Sequence, residues 1–203
     1  MPSHSSTSPG PRVVQVNRAP VLTLWAAVVA RALGHPWDEA LTIGRVVAGL
    51  AAYRKGVSLG LYEERPPEAK TTDRAARPEG ETRRITVMGF PVLEVRTPQG
   101  WRAVDREGRP IRPEAVERYL RRRFGAAYPA VRAALEALAA AYPPEELARR
   151  AWSLYVAFRP QVPKGIEGWG KKGVLDLERI EALIRRASSS ASRGPGRWTT
   201  VEN

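Results

Sequence analysis

The strongest hydrophobic pattern lies in residues 21–33 (VLTLWAAVVARAL), interrupted only by Thr23 and Arg31. A run apolar on nearly every side predicts a helix buried all round rather than an amphipathic surface helix. Pro20 suits its first turn, and Gly34 ends it. A second helix is expected over 36–55, with Asp38 and Glu39 at the positive end of its dipole and Gly56 as its cap. Gly44 and Ala48, with Ala40 and Ala51 near them, give it a small-residue face on which another helix, or a second copy of the chain, could pack closely.

Further along, 85–88 and 92–96 read as strands, Thr97-Pro98-Gln99-Gly100 as a turn, and 101–104 as a returning arm. The remainder is helical in period. Helices are expected over 113–124, 129–142 and 144–158, with a last one over about 176–186 that buries Leu177, Ile180, Leu183 and Ile184. The fold class predicted is therefore mostly α, about six helices, with a small β-hairpin inserted after a mobile charged linker. That linker is residues 62–84, rich in alternating charge and containing Pro66, Pro67 and Pro78. Disordered tails are expected at 1–17 and 188–203. The helical pair 18–61 and the region 85–187 are expected to form one domain.

Composition changes this picture in two ways. The chain of 203 residues holds 33 Lys+Arg against 21 Asp+Glu, a formal charge of +12, and the excess is spread along its length. Such a surplus fits a polyanionic partner, nucleic acid and most simply DNA, or alternatively a generally basic surface. The absence of Cys excludes disulfides and fits a cytoplasmic protein. No stretch reaches the roughly 20 apolar residues of a membrane span, and no secretory leader is expected. Only His4 and His35 are present, so no metal and no cofactor is expected. A small enzyme built on carboxylates such as Asp38, Glu39 or Asp176 with Lys remains an alternative reading, and a protein–protein adaptor another.

Candidate binding residues fall in two places. Arg118, Arg121, Arg122 and Arg123 form the densest cationic run and could track a phosphate backbone. The competing reading is that cations simply favour the end of that helix. The second place is the glycine-rich loop with Lys164, Gly168, Trp169, Gly170, Lys171 and Lys172. Gly165, Gly170 and Lys171 fit part of a phosphate-loop spacing, but Lys172 stands where Ser or Thr is needed. Of the other tryptophans, Trp25 and Trp152 sit in apolar helical patterns and are expected in the core. Trp101 sits on the hairpin between Arg96 and Arg102, to close it against a helix or to contact nucleic acid.

The segment Ile166-Glu167-Gly168-Trp169-Gly170-Lys171-Lys172 resembles the hairpin of the helix–hairpin–helix family. That resemblance implies backbone amides approaching a DNA phosphate at the two glycines. Gly173 departs from the pattern where the second helix should begin, and the simpler alternative is a loop whose Trp169 plugs the core. Residues 18–30, 40–44, 55–56, 158–160 and 168–173 together resemble a family of uncharacterised bacterial proteins, a likeness that implies no activity.

Overall fold

The computed structural model describes residues 12–62, 80–162 and 171–191, and the fold is mostly α. Helix α1 (Arg18–Ala32) is its centre. Every residue from Pro20 to Ala30 is buried, as its all-round apolar sequence requires. Helix α2 (Trp37–Ser58) packs along α1. Three elements close the other sides of α1: α3 (Pro113–Phe124), α4 (Tyr128–Ala140) and α5 (Pro144–Phe158). The Trp25 indole N–H donates to the Ala151 carbonyl at 2.8 Å, and its ring meets Phe158 edge-on at 5.4 Å, tying α1 to α5. Helix α6 (Leu177–Ala191) lies against α4 and α5. A single cluster of buried apolar side chains runs through all of these elements.

The β structure differs from the expected hairpin. Strands β2 (Thr82–Val87), β3 (Phe90–Thr97) and β4 (Gly100–Ala103) form an antiparallel meander, which rests on α2. The β2–β3 turn is Met88-Gly89, with φ of 54° and 77°. Two positive φ values match the turn whose twist suits a two-residue hairpin. A second sheet pairs β1 (Val13–Val16) with β5 (Gly173–Asp176), antiparallel from Val13↔Asp176 to Val16↔Gly173. Neither of these strands was expected. Each has only four residues, and each finds its hydrogen-bond partner some 160 residues away.

Several boundaries move accordingly. Residues 12–17 are not a disordered tail, because β1 alternates exposed and buried positions and Leu177 N–H donates to the Arg12 carbonyl at 2.9 Å. The charged linker ends earlier than expected, because 82–84 already pair with 93–95; its residues 63–79 lie outside the described ones. Helix α6 continues past 187 to Ala191. Gly56 does not cap α2. It lies inside the helix, buried, with the Tyr62 ring against it where a Cβ would stand. Gly173 opens a strand rather than interrupting a helix: a Cβ there would lie 2.7 Å from the Gln161 carbonyl oxygen. Asp176 accepts the Glu178 N–H at 2.9 Å and so caps α6.

A charged network joins the meander to α2. Arg83 on β2 donates from Nη2 to Glu39 at 2.7 Å and from Nε to Glu94 at 2.8 Å. His35 shares a further hydrogen bond with Glu39. Trp101 covers the network, its ring 4.3 Å from the Arg83 guanidinium and 5.5 Å from that of Arg96. The tryptophan thus packs on arginines of its own sheet. Glu94 is fully buried, and its Oε1 has no partner among the described residues. Burial pushes the Glu94 carboxyl above its usual 4.5; the Arg83 hydrogen bond opposes this and the nearby Glu39 charge adds to it. A raised carboxyl pKa means the folded state holds this proton more tightly than the unfolded chain. The resulting stabilisation is complete below about pH 4.5 and is lost as pH rises through the raised value. Glu94→Gln should remove that dependence. The melting-temperature difference, wild type minus variant, is expected to fall steadily from pH 4 upward; a flat difference would show that Glu94 does not titrate above its unfolded value.

Candidate functional site

The four elements α1, α2, α5 and the β2–β3 turn meet around an open cleft of about 460 Å³. Its lining follows from helix geometry. On α2, Ala51, Arg54, Lys55 and Ser58 are spaced i, i+3, i+4, i+7 and so share one face. On α5, Trp152 and Tyr155 are spaced i, i+3, and Arg159 follows in extended backbone just past the helix end. Arg18 is the first residue of α1, and the Met88-Gly89 turn delivers Gly89 and Phe90.

The chemistry of the lining is one-sided. Arg18, Arg54, Lys55 and Arg159 bring four cations, and among the described residues no carboxylate lines the cleft and none of the four has a carboxylate partner. Elsewhere the protein pairs many of its arginines. Two of the cleft cations are held in place by uncharged groups. Arg18 Nε donates to the Pro160 carbonyl at 3.2 Å, and the Arg54 guanidinium lies 4.2 Å from the Phe90 ring centre.

Three aromatic rings complete the walls. Phe90 and Tyr155 are buried, whereas Trp152 keeps 38% of its surface exposed. Its ring packs against Phe90 at 5.3 Å and Tyr155 at 5.5 Å. Trp152 is therefore not the core residue its apolar helix suggested: the core stripe of α5 is Leu147, Ala151, Leu154 and Phe158, and Trp152 lies one position off it. The Tyr155 hydroxyl donates to the Arg18 carbonyl at 3.4 Å. Burial pushes its pKa up to about 12, against the pull of Arg18 and Arg159, so it stays a neutral donor at physiological pH.

The residues singled out from sequence are placed as follows. Arg118, Arg121, Arg122 and Arg123 lie on α3, and all four are exposed. Arg121 pairs with Glu117 at 2.8 Å and lies over Tyr128, and Arg123 lies over Tyr119. The last three occupy the final turn of α3, where cations complement the dipole. They are not brought to the cleft. Arg45 of α2 faces Tyr119 of α3, whereas Arg54 faces Phe90; nine residues at 100° each put these on opposite sides of α2.

Lys164, Gly168, Trp169 and Gly170 lie outside the described residues, as does most of the phosphate-loop and helix–hairpin–helix pattern. Lys171 and Lys172 are exposed and lead into β5, whose Val174 exchanges hydrogen bonds with Gln161, two residues beyond Arg159. Glu39 belongs to the buried network, Asp38 faces Arg102 at 3.8 Å, and Asp176 caps α6, so these carboxylates do not meet in one site. The small face of α2 is occupied within the chain: Gly44 lies against the α1 backbone. Among the described residues no group of three or more His, Cys, Asp or Glu is arranged to hold a metal, and no helix is long and apolar enough to cross a membrane. Comparison of the chain with family models, curated proteins and solved structures gives no match.

Proposed function

We propose that this protein binds nucleic acid, DNA in the first instance, through largely sequence-independent phosphate contacts anchored at the cleft. One observation carries the reading: four cations without carboxylate partners among the described residues surround an accessible tryptophan. Cations that track phosphates, together with a ring on which a base can stack, are the two elements of sequence-tolerant strand binding. The charge of +12 supports it over the whole surface. The cleft holds Lys55 but no carboxylate among the described residues, so it lacks the acid–base pair that the enzyme reading requires. This favours binding over catalysis there. Lys171 and Lys172, exposed just before β5, add to the basic surface.

Fluorescence anisotropy of labelled duplex and single-stranded DNA across a salt series tests the proposal. The expected result is binding to arbitrary sequence with a steep log–log salt slope. Lys171→Ala with Lys172→Ala should lower that slope by about 2. An unchanged slope removes these lysines from the interface, and no binding at low salt overturns the proposal.

A further inference from the structure

We infer that the cleft receives one unpaired nucleotide bearing a terminal phosphate, its base against Trp152 and its phosphate among Arg18, Arg54, Lys55 and Arg159. The inference deepens the nucleic-acid reading above and rests on the same cleft. Size comes first. A space of about 460 Å³ suits one mononucleotide. Bases inside a duplex are paired and stacked, so none can reach a ring inside a cleft unless it is unpaired or flipped out.

Charge comes second. A backbone phosphodiester carries a single negative charge, whereas a terminal phosphate monoester carries roughly 1.5 to 2 near neutral pH and offers three acceptor oxygens. Four cations converging with no carboxylate among the described residues fit the more highly charged group. The cations come from three segments of the chain and face the same space as the ring, which is the separation of polar and aromatic surface that a nucleotide itself presents.

The third consideration is order. Buried Phe90 and Tyr155 pack against the partly exposed Trp152 ring, so its position is set before any ligand arrives. Pro160 orients the Arg18 guanidinium, and Phe90 orients that of Arg54. The Tyr155 phenol is protonated and bonded to the Arg18 carbonyl, so it adds no negative charge to repel a phosphate. A free nucleotide and the end of a single strand share this chemistry.

The test compares one short oligonucleotide in three forms, with a 5′-phosphate, a 3′-phosphate or hydroxyls at both ends, alongside a free nucleoside monophosphate. Binding is read by tryptophan fluorescence and, for the strands, by anisotropy. At least one phosphorylated form should bind about tenfold tighter than the hydroxyl form, the effect of an added charge-assisted contact. Trp152→Leu should weaken it roughly tenfold. Arg159→Ala should narrow the gap between phosphorylated and hydroxyl ends, which loss of packing alone would not do. Binding of the monophosphate without any strand would support the inference with a free nucleotide as ligand and overturn the nucleic-acid reading. Equal binding of all three strands, unaffected by Trp152→Leu, would overturn the inference and leave nucleic-acid binding standing. Binding of no probe would overturn both.

Discussion

Gly44→Ala is expected to lower stability by about 2–4 kcal/mol, although Ala is the better helix former by ~1 kcal/mol. The reason is the approach of α2 to α1. A Cβ on Gly44 would stand 2.3 Å from the Thr23 carbonyl oxygen and 2.9 Å from the Ala27 backbone nitrogen. Both atoms belong to the backbone of a helix buried on every side, so neither can turn away as a flexible side chain would. Relief requires α1 and α2 to separate, and that opens the most extensive helix contact in the core. For a chain of this size the melting temperature should fall by roughly 5–15 °C. Gly49 on the same helix is the control. Nothing lies within 4 Å of the place a Cβ would take there, so Gly49→Ala should be neutral or slightly stabilising. Equal responses at the two positions would mean that the helices do not meet at Gly44.

Arg83→Ala should cost a comparable amount, about 2–4 kcal/mol near neutral pH. Removing one partner of a buried ion pair typically costs about 3–5 kcal/mol, and the value is reduced here because the Arg83 side chain is 35% exposed. Two buried carboxylates, Glu39 and Glu94, would face each other without the cation that bridges them. The loss should depend on pH. Without Arg83 the Glu94 pKa rises further, so the deficit is smallest in acid, where Glu94 is protonated, and grows as pH rises. Unfolding in urea at two pH values separates this from simple loss of packing, which would give the same deficit at both. Adding Glu94→Gln to Arg83→Ala should recover part of the stability, because the unpaired charge is then gone.

Much of the helical architecture was legible because local signals agreed. Helices α3 and α5 begin at the prolines that the sequence offered for their first turns and end at Phe124 and Phe158 as expected. The buried character of α1 could be read from its unbroken apolar run. What escaped were features made by distant residues. Strands β1 and β5 are too short to show a period, and only their pairing makes them strands. The cleft was invisible for the same reason: Arg18, Arg54, Phe90 and Arg159 stand in four separate parts of the chain, and no local spacing connects them. One signal was present at Trp152. It lies one position off the stripe Leu147, Ala151, Leu154 and Phe158, and strict helical spacing places it at the edge of the core. The arginine run on α3 drew attention by its density, yet density along a chain is not convergence in space.

Binding centred on the cleft is tested most directly by comparing two variants in the anisotropy salt series. One is Lys55→Ala with Arg159→Ala; the other is Arg121→Ala, Arg122→Ala and Arg123→Ala. Each should first be shown to melt like the wild type. The cleft pair should weaken DNA binding and lower the salt slope by about 2, while the α3 triple leaves the slope nearly unchanged. The reverse pattern, with full affinity in the cleft pair and a reduced slope in the α3 triple, would contradict a cleft-centred interface and place the phosphate contacts on α3.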